Sequence, residues 1–275
     1  MGSSDIAPAT APTWLVPAST ACLATGIAFW LAAYVLMVRR SLATKATPAP
    51  LLALALNLSW EVVYAGAVCE APLEFFGFTL WLLLDMPVLY ATLKTAPRSF
   101  ATSPLVARNV PLLMAVMFAF GLVGNGLFVW WWLKEPHRGY GLKWGKTWKG
   151  REARNTTELS FWSAGVAQMI FSVGALAMLL QRGHSGGQSY AIWFCRFVGT
   201  LMGLPVTTVL LWWYWPEAHG FVFHPLGLFI IGTSTCCDIA YPFVLGYVRS
   251  TERILPDGTV VAEESHEGAN EKKDQ

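Results

Sequence analysis

Seven apolar stretches, each long enough to cross a bilayer, leave this chain few folds to choose from. A transmembrane helix needs about 20 mostly apolar residues to span a hydrocarbon core ~30 Å thick. Such stretches run Trp14–Val38, Leu51–Val68, Phe75–Leu93, Val110–Leu133, Leu159–Leu180, Tyr190–Trp213 and Leu226–Val248. Polar or proline-containing segments separate them, among them Arg39-Arg40-Ser41, Pro97-Arg98-Ser99 and the run from Arg182 to Gly187. The first stretch lacks a basic n-region and is too long for a signal-peptide core, so it counts as a true span. The predicted fold class is all-α, an integral membrane bundle of seven transmembrane helices.

Composition agrees. Only 13% of the residues are charged, against roughly 25% in an average soluble domain. The formal net charge is +2, and the basic residues lie in loops rather than interleaved with aromatics on one face, so no nucleic-acid partner is expected. The five cysteines (Cys22, Cys69, Cys195, Cys236 and Cys237) show no CxxC or Cys/His spacing, which argues against a zinc site or a disulfide framework. No metal, no cofactor and no obligate protein partner are predicted. Contact with membrane lipid is.

Lys and Arg in the short loops set the orientation. Arg39, Arg40 and Lys45 follow span 1, Lys94, Arg98 and Arg108 follow span 3, and Arg249 and Arg253 follow span 7. The N-terminal tail and the loops after spans 2 and 6 carry none. This alternation predicts a lumenal N-terminus and a cytosolic C-terminus in a multi-pass protein of the endoplasmic reticulum. One loop departs from the rule: the lumenal segment 134–158 holds Lys134, Arg138, Lys143, Lys146, Lys149, Arg151 and Arg154. It also carries Asn155-Thr156-Thr157, a glycosylation acceptor usable only in the lumen. Residues 1–13 are read as a lumenal tail, 14–250 as the seven-helix domain, and 251–275 as a disordered acidic cytosolic tail.

Three acids lie within the spans: Glu61, Asp85 and Asp238. A carboxylate at the centre of a membrane helix costs about 2.5–3.5 kcal/mol on insertion scales, so each is a functional candidate. Asn57, Glu61 and Tyr64 stand at i−4, i and i+3 and share a helix face. Ser234, Asp238 and Tyr241 repeat the order of small polar residue, acid, tyrosine. Two such stripes facing one interior make a polar chamber in an apolar wall. An acid there keeps its proton, which is what protonation of an epoxide or alkene requires. Asp85 shares its face with Phe78 and Trp81 and is followed by Pro87. That leaves it either structural or in contact with substrate. Trp60, Tyr64, Trp81 and Tyr241 flank the acids and offer ring faces to a carbocation. Trp14, Trp130 to Trp132, Trp212, Trp213 and Trp215 sit at span ends, where indoles favour the interface. Arg196, about two turns into span 6, is expected to snorkel to the interface. His137, His184, His219 and His224 have no ligand spacing and are read as loop residues.

At Asn57-Leu58-Ser59-Trp60-Glu61-Val62-Val63-Tyr64 the chain resembles the fungal integral-membrane terpene cyclases of the paxilline and pyripyropene pathways. Further matches follow in order: Ser103 to Pro111, Gln168 with Ser172-Val173-Gly174, Ser189 to Trp193 with Arg196 to Gly199, and Tyr214 to Ala218. The resemblance covers residues 50 to 250, and its specificity lies in the ordered set. It implies metal-free cyclisation of a prenylated aromatic or polyketide-derived precursor, commonly bearing a terminal epoxide. It also implies two membrane-embedded catalytic acids, which map onto Glu61 and Asp238. The implied partner is a lipophilic epoxyprenyl small molecule. The loop 134–158 is longer and more basic here than in typical members.

Rival readings find less support. Span 7 has no lysine for a retinal Schiff base. Asp85 has no acid at i+4, and the DDxxD and DxDD runs of prenyl-diphosphate enzymes are absent. A transporter or receptor-like protein binding a lipophilic ligand remains the alternative, although no inverted repeat is evident.

Overall fold

The computed structural model describes residues 7–69, 72–135, 138–139, 147–148, 151–152 and 155–262. Seven helical segments are long and apolar enough to cross a membrane. They are α1 (Leu15–Thr44), α2 (Leu51–Val63), α3 (Pro72–Ser99), α4 (Pro104–Lys134), α5 (Thr156–Arg182), α6 (Tyr190–Leu201) continued by α7 (Thr207–Tyr214), and α9 (Pro225–Thr251). The short α8 (Pro216–His219) and a 3-10 turn, Gly220–Phe223, connect α7 to α9. Helix is the expected answer in lipid, because it satisfies every backbone N–H and C=O within its own segment. Two spans are not uniform: α2 widens into a π turn over Tyr64–Val68, and Met202–Val206, containing Pro205, forms another between α6 and α7.

The helices outrun the apolar stretches that announce them. Helix α1 continues past Val38 through Arg39 and Arg40 and stops at Thr44, where Lys45 turns left-handed (φ 55°) and returns its N–H to Ser41. The charges end the hydrophobic run without ending the hydrogen-bond ladder. Helix α5 ends one residue before Gly183, whose φ of 62° suits a residue without Cβ and whose N–H bonds Leu179.

Small residues set the closest helix contacts, as expected where lipid gives no hydrophobic push. Helix α1 lies on α6 at Gly26, where a Cβ would come within 2.8 Å of both Gly199 O and Gly203 Cα. Gly199 and Gly203 are four apart, a small-xxx-small pair. Helix α5 packs on α9 and α2 on α4. One apolar cluster joins Leu54, Leu58, Val88, Met114, Phe171, Ile192, Tyr241 and Leu245 through the centre of the bundle.

One end of the bundle is tied by polar contacts. Arg182 donates to the carbonyl of Thr47 at 2.9 Å and to its hydroxyl, Gln188 donates to the Pro48 carbonyl, and Gly187 N–H reaches Thr44 Oγ1 at 2.8 Å. Here the segment 251–275 departs from the expected disorder. Strand β3 (Glu252–Ile254) pairs antiparallel with β4 (Val260–Ala262), Ile254 facing Val260. The turn between them is Pro256-Asp257-Gly258, with Gly258 at φ 82°. Pro-Asp-Gly between two short β-prone runs is a turn signal that acidic composition had masked. The hairpin is anchored: Glu252 accepts from Ser185 N–H at 2.6 Å, and Asp257 lies 2.7 Å from Lys45 and 3.4 Å from Arg98. The Lys45 contact and the Thr259 N–H hold the Asp257 carboxyl well below the usual carboxylate range. Residues 263–275 lie outside the described residues, as do 1–6 of the N-terminal tail.

Within the loop 134–158, β1 (Thr147–Trp148) pairs with β2 (Arg151–Glu152). His137, Lys143, Lys146, Lys149 and Arg154 lie outside the described residues. Of the tryptophans expected at the interface, Trp14, Trp130, Trp131 and Trp213 are exposed, but Trp132 and Trp215 are buried. Trp132 is turned inward and donates to the Asn155 carbonyl at 2.9 Å.

Gly26→Leu should separate α1 from α6, because the new side chain meets backbone rather than a flexible neighbour. Overpacking of this kind costs about 1–3 kcal/mol. A lower thermal midpoint in detergent is expected, with Gly124→Ala, which fills open space, leaving the midpoint unchanged or raised.

Candidate active site

Helix α2 presents Asn57 and Glu61 one turn apart on one face. Glu61 is 0% exposed, and so is Asp85 of α3. The Asn57 carboxamide stands between them: its Nδ2 is 2.8 Å from Glu61 Oε1 and 2.8 Å from Asp85 Oδ2. An amide nitrogen carries two hydrogens, so both are used on the two acids. Tyr34 of α1 completes the cluster, its hydroxyl 3.2 Å from Asn57 Nδ2 and accepting from Trp81 Nε1 at 2.8 Å. Both carboxyls thus converge on one amide nitrogen. Asp85 therefore has polar partners after all. They come from α1 and α2, which its own helix face could not reveal.

Asp238 of α9 lies in a different cluster. Its Oδ1 is 3.3 Å from Arg196 Nη2, and its Oδ2 accepts from Ser172 Oγ at 2.9 Å. Arg196 does not snorkel to the interface. It is 1% exposed, its guanidinium is 4.5 Å from the centroid of the Phe171 ring and 5.5 Å from that of Tyr241, and its Nε and Nη1 find no hydrogen-bond partner. An arginine inside a bundle needs an acid, and Asp238 is the one it meets. The stripe on α9 contributes less than its spacing promised. The Ser234 hydroxyl bonds its own helix at Ile231, and Tyr241 serves the site through its ring, its hydroxyl being unpartnered.

The polar clusters are joined by aromatic rings rather than by a continuous chamber. Tyr34 packs edge-on to Trp30 (5.7 Å), Trp30 on Phe171 (5.6 Å), and Phe171 lies under Arg196. On the other side of Glu61, Trp60 packs on Tyr64 at 4.5 Å and on Phe78 at 5.3 Å, and Phe78 stacks on Trp81 at 6.4 Å. Four ring systems thus line the route from the acid pair along α2 and α3. The Trp60 indole donates to Ser163 at 3.0 Å, and the Tyr64 hydroxyl hydrogen-bonds the same serine.

Ser163 in turn lines a cleft of about 420 Å³ bounded by Leu56, Asn125, Trp131, Trp162 and Ile230. That volume falls within the range of small-molecule sites, roughly 300–1,000 Å³. Leu56 lines this cleft, and Trp60, one turn further along α2, borders it through its bond to Ser163.

Asn155, the glycosylation candidate, acts as the N-cap of α5. Its Oδ1 accepts from Glu158 N–H at 3.0 Å and its Nδ2 contacts Glu158 Oε2 at 3.3 Å. A glycan on Nδ2 would have to displace that contact. Sequence reasoning missed Tyr34, Ser172, Ser163 and the pairing role of Arg196. The one available signal was charge: a basic residue within a span calls for an acid in another. Buried His219, which packs on Trp215 and Phe221, was likewise misread as a surface residue. Among the described residues, no three metal-ligating side chains converge.

Comparison with known proteins gives these observations a context. A family model described as Pyr4-like transmembrane terpene cyclases matches residues 5–251. Terpene cyclase ascF of Acremonium egyptiacum is 36% identical over 252 residues, covering 92% of this chain and 89% of that protein. Terpene cyclase dpchB of Colletotrichum higginsianum is 33% identical over 240 residues, covering 87% and 89%. The Pyr4-family terpene cyclase mfmH of Annulohypoxylon moriforme is 26% identical over 226 residues, covering 82% and 84%. No solved structure matches the chain.

The Arg196–Asp238 pair makes a stability prediction. Removing one member leaves an uncompensated buried charge, at a cost of about 3–5 kcal/mol. Arg196→Met should therefore lower the thermal midpoint and the yield of folded protein sharply. The double variant Arg196→Met/Asp238→Leu should recover much of the loss, and double-mutant analysis of thermal melts measures the coupling.

Proposed function

The chain belongs to the Pyr4-like transmembrane terpene cyclases, and from that membership we propose that it cyclises a prenylated aromatic or polyketide-derived precursor by acid-initiated carbocation chemistry. The protein is a multi-pass membrane terpene cyclase. In the proposed reaction Glu61 is the general acid. Its proton goes to the oxirane oxygen of a terminal epoxide, or to a terminal alkene carbon. With an epoxide, the bond from oxygen to the more substituted carbon breaks, and the oxygen remains as a hydroxyl. The alkenes of the folded chain then attack in turn, and the last cation loses a proton. The sum is an isomerisation, so no metal or redox partner is required.

The observation that carries this reading is Glu61 itself: fully buried, with no ion pair among the described residues, bonded to the Asn57 amide that also holds Asp85, and next along α2 to Trp60, whose ring packs on Tyr64 and Phe78. A carboxyl in an apolar setting beside another carboxyl holds a proton, whereas one beside a guanidinium holds its charge. Asp238, with both oxygens engaged by Arg196 and Ser172, is accordingly proposed as the charged partner. It offers a negative field to the cation and a final acceptor for its proton. The rings of Trp60, Trp81 and Tyr241 shield the cation from water and attract it through their π faces. The cleft beside Trp60 supports a lipophilic prenyl chain as the substrate class.

We further propose residence in the endoplasmic reticulum with the C-terminus cytosolic. The tail hairpin rests on Lys45 and Arg98, in the basic loops that the positive-inside rule puts in the cytosol. A C-terminal reporter on sealed microsomes should be digested by added protease. Protection of the reporter would reverse the orientation.

The mechanistic test uses microsomes treated with chelator and supplied with a panel of epoxyprenyl precursors. Cyclised product is expected from the natural chain. General acid catalysis contributes about 10²–10⁴-fold, so Glu61→Gln should lower turnover by that factor with a normal level of folded protein. Asp238→Asn should also lose turnover, with a reduced level because Arg196 is stranded. Near-normal cyclisation by Glu61→Gln would remove Glu61 as the acid.

A further inference from the structure

The Asn57 carboxamide satisfies one oxygen of Glu61 and one of Asp85, and its two hydrogens are then spent. The other oxygens, Glu61 Oε2 and Asp85 Oδ1, are buried without a hydrogen-bond partner among the described residues, the Tyr34 hydroxyl being a further polar neighbour of Asp85. A buried acceptor without a donor is costly, and two lie here on carboxyls that share one amide nitrogen. The donor that is missing from both is a proton on one of the acids. No basic side chain is among the contacts of the pair. The groups that face it are Tyr34 from α1, Asn57 from α2 and Trp81 from α3.

We propose that Glu61 and Asp85 form a proton-sharing carboxyl dyad clamped by Asn57, in which Asp85 is the positioning residue that stabilises Glu61 after it has given its proton away. The inference rests on Glu61 as the general acid. In the resting dyad both acids are protonated, which leaves no net charge in the bundle. Glu61 transfers one proton to the substrate oxygen. The proton left on Asp85 is then shared between the two carboxyls, while the two Asn57 N–H groups hold one oxygen of each. One negative charge is spread over a fully hydrogen-bonded pair instead of standing on a lone buried carboxylate. Cyclisation releases one proton for each one consumed, and its return restores the resting pair. Asp85 thus lowers the barrier to proton donation without touching the substrate.

The role is separable from packing. Asp85→Asn keeps the shape and offers an amide where the shared proton was. It should reduce kcat by about tenfold or more with KM little changed, a milder effect than Glu61→Gln. The double variant Glu61→Gln/Asp85→Asn should be no slower than Glu61→Gln alone, because the two act as one unit. Infrared difference spectra of the purified protein give the readout that a structural role would not move. The carbonyl stretch of the remaining protonated Glu61 should shift in Asp85→Asn, and that of Asp85 in Glu61→Gln. Asn57→Leu, which leaves both acids in place, should shift the same bands and serves if Asp85→Asn does not fold. Bands that disappear one at a time without moving the other, or multiplicative losses in the double variant, would overturn the dyad. An active Glu61→Gln would instead overturn the general acid, so the two failures are distinguishable.

Discussion

A polar group buried in this bundle is cut off from bulk solvent, and that constraint decides which helices must be neighbours. Asn57 cannot satisfy Asp85 unless α2 and α3 lie side by side at that level. Arg196 cannot reach Asp238 unless α6 lies against α9. Ser163 ties α5 to α2 through Trp60 and Tyr64. Apolar packing in lipid discriminates weakly among arrangements, since a leucine is as well off against an acyl chain as against another leucine. The few hydrogen bonds and ion pairs discriminate strongly, because each wrong pairing leaves a buried group unsatisfied.

Close helix approach does the rest. Gly26 brings α1 against α6, and on the next two turns of the same helix stand Trp30 and Tyr34. Trp30 fills the space beside Gly199, where an added Cβ would meet its Cδ1 at 2.7 Å, and reaches Phe171. Tyr34 reaches Asn57 and Trp81. A glycine contact therefore sets the depth at which α1 inserts its aromatic wall between the two polar clusters. That wall keeps the Arg196 guanidinium from the acid pair. A guanidinium beside Glu61 would hold its carboxylate charged and remove the proton that the proposed chemistry uses.

Much of this fold was legible in the sequence, because bilayer thickness imposes a length on every span. The seven expected spans coincide with the seven that form, and they differ mainly where helices run on past charged residues, as α1 does through Arg39 and Arg40. The faces of α2 and α9 were legible too, since i, i+4 spacing fixes which side chains share a side. What spacing cannot give is which face meets which. Glu61 and Asp238 were expected in one chamber. They sit instead in separate clusters, each completed by residues from other helices, and only the contacts between helices decide that. Asp85 was read against Phe78 and Trp81 on its own helix, although its partner is Asn57 on the neighbouring one. The tail failed for another reason. A 21-residue acidic stretch from Leu255 was judged by composition, and the Pro256-Asp257-Gly258 turn signal inside it was outweighed.

Asp238 and Glu61 are both buried, yet their surroundings differ in kind, which is why opposite tasks are proposed for them. Asp238 faces a fixed positive charge and a hydroxyl donor. Glu61 faces a second acid and an amide, an arrangement that is satisfied only when a proton is present. In a water-free interior such a difference is fixed by covalent sequence and helix packing, with no solvent to blur it. On the proposed mechanism, that is how two carboxyls of nearly the same intrinsic strength would serve one reaction as acid and counter-charge.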